Sequence, residues 1–134
     1  EDKKMSMNDT LANALSHMLN CERVGKNTCI VRDASKMIKE VLEIMKSHGY
    51  VNKIEFKESP KGNTIIVELK GAINNCGAIK PRFPVSLEGY EKYERRYLPA
   101  KDFGIMIIST TKGLMTQDKA IEQKLGGKLI AYCY

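Results

Sequence analysis

The sequence has little of what a membrane protein or an aromatic cofactor site requires. Its 134 residues include no Trp and only three Phe, and no apolar run approaches the roughly 18 residues of a membrane-spanning helix. The first ten residues lack the apolar core of a cleavable signal. We therefore expect neither a transmembrane helix nor a wide aromatic pocket, and a protein that stays inside the cell.

Metal ligands are few and scattered. No two cysteines form a C-x-x-C pair, and we interpret the two histidines as separate from the cysteines. We therefore expect buried free thiols, solvated histidines on helices, and neither a metal nor an organic cofactor. The residues concerned are Cys21, Cys29, Cys76, Cys133, His17 and His48.

Positive charge is in excess. There are 22 lysines and arginines against 16 aspartates and glutamates, which gives a net charge of +6 and a pI near 9.1. Such an excess is typical of proteins with an anionic partner, and it is equally compatible with an ordinary basic surface. Composition alone leaves both interpretations open.

Periodicity in the first half predicts the order α-β-α-β-β. Apolar residues recur at helical spacing in residues 9–20, with Asp9 as a suitable N-cap, and in residues 35–49, where Asp33 or Ser35 precedes the helix and Gly49 ends it. The segment "NTCIVRDA" alternates apolar with polar side chains, as a strand does. "YVNKIEFKE" and "NTIIVELKG" alternate in the same way around the turn "SPKGN" and predict a β-hairpin.

The second half is predicted to be mostly β. Residues 71–103 mix three prolines, tyrosines and alternating charge, which indicates an extended segment with a long excursion. The apolar run "GIMIIST" predicts a strand buried on both faces, and "KLIAYCY" a closing strand. Between them "TQDKAIEQKL" predicts a short helix, which is capped by Thr116 or Asp118 and ended by Gly126 and Gly127.

These elements predict an α+β fold with two small subdomains. The first is α-β-α-β-β, and the second is mostly antiparallel β with one short helix. We place the subdomains at residues 7–72 and 73–134, after a flexible leader of residues 1–6.

The apolar strand of the second half ends at three consecutive hydroxyl residues, Ser109, Thr110 and Thr111, which are followed by Lys112 and Gly113. A nucleophilic Ser or Thr requires a base within hydrogen-bond reach, and both histidines belong to the other half. The Walker spacing G-x-x-x-x-G-K-[ST] and the fingerprint G-x-G-x-x-G do not occur in the sequence. We therefore expect no enzyme.

Nucleic acid suits this segment better. Hydroxyl groups both donate and accept, so they can contact a 2′-hydroxyl, a phosphate or a base edge. The minor groove of A-form RNA is wide and shallow, and the small residues Gly113, Gly126 and Gly127 would permit a close approach to it. The plainer interpretation is a tight turn with an N-cap, and the local residues do not decide between the two.

Longer patterns resemble one protein family. "GIMIISTTKGLMT" and "GGKLIAYCY" resemble the carboxyl-terminal signature of small-subunit ribosomal protein S8, and "GAIKPRFPV" with "GYEKYERRYLPAKDFGI" resembles its archaeal and eukaryotic version. The order of elements in the amino half agrees with this family. The resemblance therefore covers nearly the whole chain.

The resemblance implies that the protein is a structural constituent of the small ribosomal subunit. It would be cytoplasmic, in the ribosome, and monomeric when free. Such a protein binds the central domain of small-subunit ribosomal RNA directly, on a helix with an irregular internal loop. It supports assembly of the subunit beside neighbouring small-subunit ribosomal proteins. The alternative left open is a phosphate-binding regulator or enzyme that uses the "TTKG" loop at a helix start.

The resemblance also implies which residues contact RNA. In the family a Ser-Thr-Ser/Thr loop contacts unpaired bases, a Ser-Lys pair at the start of the second helix meets phosphate, and the first helix faces the minor groove. Two residues depart from the family pattern: Asp33, where many members have Pro, and Lys128, where bacterial members often have Glu. With the cations and glycines nearby, the residues expected to bind RNA are Ser109, Thr110, Thr111, Lys112, Gly113, Met115, Gly126, Gly127, Ser35, Lys36, Thr10, Asn13, Arg32 and Arg82.

Overall fold

The computed structural model describes residues 10–32, 34–80, 82–100 and 103–134. The predictions for the leader of residues 1–6 and for caps at Asp9 and Asp33 lie outside these residues. The chain divides into two compact units, one that ends at Asn74 and one that comprises Asn75–Tyr134.

The first unit follows the predicted order α-β-α-β-β. Its elements are α1 Thr10–Arg23, β1 Thr28–Arg32, α2 Lys36–Ser47, β2 Val51–Lys57 and β3 Thr64–Leu69. The three strands form an antiparallel sheet in the order β1-β3-β2, in which β2 and β3 are the predicted hairpin.

Local chemistry fixes where α2 begins and ends. The Ser35 hydroxyl accepts a hydrogen bond from the backbone N–H of Ile38 at 3.3 Å, so Ser35 is the N-cap. At the other end Gly49 has φ +82°, a conformation that favours glycine and stops the helix. The apolar stripe of the helix is buried against the sheet, as its spacing predicts, through Ile38, Val41, Leu42 and Met45.

The second unit is built around a second antiparallel sheet, in the order β4-β8-β6-β7 with β5 paired to β8. The α+β fold class is therefore confirmed. The elements of this unit are β4 Cys76–Ala78, β5 Pro84–Val85, a 3₁₀ turn Leu87–Gly89, α3 Tyr90–Tyr97, β6 Ile105–Thr110, β7 Gly113–Thr116, α4 Gln117–Glu122 and β8 Gly127–Cys133.

Helix α3 corrects the prediction of a single helix in this unit. Its tyrosines at positions 90, 93 and 97 recur at helical spacing, and Tyr90 is only 1% exposed. On the solvent side, Arg95 pairs with Glu91 one turn away at 2.7 Å. The prediction of an extended segment there is wrong. Prolines at both ends of the segment dominated the sequence pattern, and the helix lies between them.

The ends of the other elements follow the predictions in part. The run Ile105–Ile108 in β6 is buried throughout, as expected for a strand covered on both faces. Helix α4 is shorter than predicted: it ends at Glu122, and the left-handed residue that follows is Lys124 with φ 58° rather than Gly126 or Gly127.

All four cysteines are free and buried, which confirms the prediction of buried free thiols. Among the described residues no helix has the length and apolarity to cross a membrane.

Candidate nucleic-acid interface

The segment "STTKG" is the tip of the β6–β7 hairpin. Thr110 pairs with Gly113, so Thr111 and Lys112 are the two central residues of the turn. Gly113 has φ +108°, a conformation that glycine adopts without steric cost. Strand β7 follows the turn, and α4 begins only at Gln117. The structure therefore contradicts the helix start at "TTKG" on which the alternative function depended.

The three consecutive hydroxyls differ in what they contact. The Thr110 hydroxyl donates to the carbonyl oxygen of Gly113 at 2.8 Å and accepts from the backbone N–H of Lys112 at 3.1 Å. Ser109 is half-buried and Thr111 is exposed, and within the described part of the chain neither of their hydroxyls takes part in a hydrogen bond. Thr110 thus holds the turn, while Ser109 and Thr111 can bind another molecule.

A lysine lies beside these hydroxyls in the sheet. Ser109 is directly opposite Lys128 on β8, and Lys128 is opposite Pro84 on β5. Directly opposite residues of antiparallel strands project from the same face of a sheet, so Ser109 and Lys128 are neighbours on one face. We call Ser109, Thr111, Lys112 and Lys128 the hydroxyl–lysine surface. Sequence reasoning missed Lys128 as a site residue because it does not give the register of pairing between β6 and β8.

Three residues expected to bind RNA are engaged in packing. A Cβ atom at Gly126 would lie 2.7 Å from the carbonyl oxygen of Val85, and one at Gly127 would collide with the carbonyl oxygen of Ser109. Both glycines therefore permit close approach of this protein's own strands. Met115 is 5% exposed and belongs to the core of the second unit, which corrects its assignment: its side chain is not available to a partner.

The remaining candidate residues are exposed or half-buried. In the first unit, Arg32 ends β1 and Lys36 begins α2 just after the Ser35 cap, and all three are exposed. Thr10 is half-buried and Asn13 is exposed one turn later on α1. In the second unit Arg82 is exposed shortly before β5.

Positive charge is concentrated in the second unit. Residues 75–134 contain ten lysines and arginines against six aspartates and glutamates, so this unit carries +4 of the chain's +6. Lys112 and Lys128 are both exposed. An anionic partner would therefore be attracted to the unit that also presents the hydroxyls of Ser109 and Thr111.

Soft metal-ligating side chains meet elsewhere, in the first unit. The ligand atoms of His17, Cys21 and Cys29 all lie within 4.8 Å of one another. Burial raises the pKa of the Cys29 thiol to about 12, a hydrogen bond with Cys21 adds to this shift, and the charge of Lys26 opposes it. The i, i+4 spacing of His17 and Cys21 is visible in the sequence but was not recognised as a ligand pair, and the proximity of Cys29 depends on how β1 packs against α1.

Comparison with known proteins gives consistent matches. A family model described as Ribosomal protein S8 matches residues 9–134, which include the whole hydroxyl–lysine surface. The small ribosomal subunit protein uS8 of Archaeoglobus fulgidus is 54% identical over 126 residues, which covers 94% of this chain and 98% of that protein.

Proposed function

The chain belongs to the ribosomal protein S8 family, and we propose that it binds the ribosomal RNA of the small subunit directly through the hydroxyl–lysine surface. Proteins of this family are structural components of the small ribosomal subunit and not enzymes, and they act in translation as part of a ribonucleoprotein.

The observation that carries the proposal is a pair of hydroxyls that make no hydrogen bond among the described residues, Thr111 on a fixed turn next to Lys112 and Ser109 at the adjoining end of β6 opposite Lys128. The turn is fixed because Thr110 bonds across it to Lys112 and Gly113. Hydroxyls at Ser109 and Thr111 can donate to a base or 2′-hydroxyl oxygen and accept from a base amine. Lys112 and Lys128 supply positive charge for the adjacent phosphates.

This chemistry favours an irregular RNA element over a regular duplex. The major groove of A-form RNA is too deep and narrow for side chains, whereas unpaired bases expose their hydrogen-bonding edges. A compact turn with two hydroxyls can reach such bases only where the helix is interrupted. The target we propose is accordingly a helix with an irregular internal loop in the central domain of the small-subunit RNA.

The first unit would add a contact to the RNA backbone. The N-terminus of α2 carries the partial positive charge of aligned peptide dipoles, and Lys36 and Arg32 lie on either side of the Ser35 cap. Phosphate is the group that fits this end of the helix. Asn13 and Thr10 on α1 are proposed to face a minor groove, where a side-chain amide and a hydroxyl can meet 2′-hydroxyls.

In the cell we place the protein in the cytoplasm, within the ribosome. There it would help the central domain to assemble and would touch neighbouring small-subunit ribosomal proteins. Before assembly it would be a monomer.

Chemical footprinting on protein-free small-subunit RNA tests the proposal. The expected result is protection confined to one helix of the central domain, strongest at its internal loop, which persists when an excess of regular RNA duplex competes. Protection spread evenly over duplex regions, or removed by the competing duplex, would overturn the proposal.

A further inference from the structure

The ligand atoms of three metal-binding side chains meet on one side of the first unit. His17 and Cys21 are four residues apart on α1, a spacing that puts two side chains on the same face of a helix. Cys29 is the second residue of β1, the strand that follows α1 in the chain and packs against it. Helix and strand thus bring together an imidazole and two thiols, although Cys29 belongs to a different element from the other two.

The distances approach those of a tetrahedral zinc site. Zinc–sulfur bonds of about 2.3 Å and zinc–nitrogen bonds of about 2.1 Å place donor atoms about 3.6 to 3.8 Å apart in tetrahedral geometry. The His17 Nε2 and Cys21 Sγ atoms are 4.0 Å apart, and all three donors lie within 4.8 Å of one another. An ion could therefore be accommodated by side-chain shifts of about 1 Å or less.

Burial and donor type narrow the choice of ion. Cys21 and Cys29 are 5% and 1% exposed, while His17 is exposed at the edge of the group. Two thiolates with one imidazole suit zinc and exclude the hard cations calcium and magnesium, which prefer oxygen ligands. The exposed position of His17 leaves room for water as the fourth ligand.

We propose that His17, Cys21 and Cys29 form a zinc-binding site with three protein ligands and one position for water, which ties α1 to β1. On binding, each thiol releases its proton to solvent and the imidazole coordinates in its neutral form. The site is independent of the hydroxyl–lysine surface, which belongs to the other unit. Because ion binding to the folded chain shifts the folding equilibrium, zinc should stabilise the first unit.

Cobalt binding to the 134-residue chain, kept reduced with a non-thiol reductant, tests the site. The expected result is one Co²⁺ per chain, with a thiolate-to-cobalt charge-transfer band and intense visible bands of tetrahedral Co²⁺, both abolished by an equivalent of Zn²⁺. The unfolding temperature should rise as free Zn²⁺ increases.

Variants assign the ligands. Cys21→Ser and Cys29→Ser should remove the charge-transfer band in part or entirely, and His17→Gln should weaken cobalt affinity by at least about tenfold. His17 is exposed, so its variant keeps the fold even if a buried cysteine variant does not. The matched controls His48→Gln and Cys76→Ser should bind like the wild type. A reduced wild-type chain without the charge-transfer band, or a His17→Gln variant with unchanged affinity, would overturn the proposal.

Discussion

At the scale of single residues, neighbouring side chains of the same chemical type have different roles. Ser109, Thr110 and Thr111 look equivalent in sequence, but only the Thr110 hydroxyl bonds within the turn. The sequence singles out the three hydroxyls as one group and could not assign them separate roles. That division depends on which residues pair across the hairpin, a feature that a non-local register determines.

Gln117 is a second residue whose role the sequence does not reveal. It is 1% exposed, and its side-chain oxygen accepts a hydrogen bond from the backbone N–H of Met106 at 2.7 Å. This bond gives the backbone N–H of Met106 in β6 its acceptor. Gln117 is the first residue of α4 and directly follows β7. A glutamine is polar and carries no sequence signal of burial, whereas this fold uses its side-chain oxygen as a buried acceptor.

Replacing Gln117 with Leu should therefore destabilise the protein. The variant keeps approximate volume but leaves the buried N–H of Met106 without an acceptor, at a cost of about 1 to 3 kcal/mol in the free energy of unfolding. Urea denaturation measures this cost. Gln123→Leu, the same change at an exposed position, is the control and should stay within about 0.5 kcal/mol of the wild type. Equal stabilities of the two variants would contradict the role assigned to Gln117.

At the scale of elements, the sequence predicted those with strong periodicity and missed those that depend on tertiary context. Helix α2 and the β2–β3 hairpin are predicted correctly because their apolar spacing is regular. Strand β7 was missed because it has only four residues and begins at a glycine. Helix α3 was missed because the side chains that pack against the core are tyrosines, of which only Tyr90 is fully buried, and their polar hydroxyls and charged neighbours conceal the amphipathic pattern.

Helix α3 should depend on the Tyr90 hydroxyl for its attachment. This hydroxyl donates to the carbonyl oxygen of Leu125 at 2.7 Å, beyond the end of α4. Tyr90→Phe should lower the free energy of unfolding by about 1 kcal/mol. Tyr93→Phe on the same helix is the control: Tyr93 stacks on Phe83, and among the described residues its hydroxyl has no hydrogen-bond partner. A Tyr93 variant as unstable as the Tyr90 variant would contradict this assignment.

The stability gap between wild type and Tyr90→Phe should also depend on pH. Burial raises the pKa of Tyr90 above its ordinary value of 10.0. The unfolded tyrosine therefore loses its proton at a lower pH than the folded one, and the stability that Tyr90 contributes is lost as the pH rises above 10. Denaturation of both proteins below and above that pH should show the gap closing. A gap that widens in alkali would contradict the buried state of this hydroxyl.

At the scale of the whole molecule, charge and hydroxyl chemistry coincide in the second unit. That unit carries +4 of the net +6 together with the hydroxyl–lysine surface. Composition alone permitted an ordinary basic surface. The pairing of Lys128 with Ser109 gives the charge a specific place and argues for an anionic partner there.

The salt dependence of RNA binding should reflect these lysines. Each phosphate that a lysine neutralises adds about 0.7 to 0.9 to the slope of log affinity against log salt concentration. Lys128→Ala should therefore weaken binding and reduce the slope by about one contact. Lys61→Ala, at an exposed turn of the first unit, is the matched control and should leave the slope unchanged. If Lys128→Ala has the same slope as the wild type, Lys128 does not contact an RNA phosphate.

The central claim is that the hydroxyls of Ser109 and Thr111 read an irregular RNA element. The measurement that tests it is a calorimetric titration of wild type and a Ser109→Ala/Thr111→Val double variant against the internal-loop helix and against a regular duplex. Thr28→Val, which removes an exposed hydroxyl from the first unit, is the control, and circular dichroism verifies the folding of each variant.

We predict a loss of about ten- to a hundredfold in affinity of the double variant for the internal-loop helix, because RNA groups buried on binding would lose their partners. Affinity for the regular duplex should not change. Equal affinity of the folded wild type and double variant for the internal-loop helix would contradict the claim.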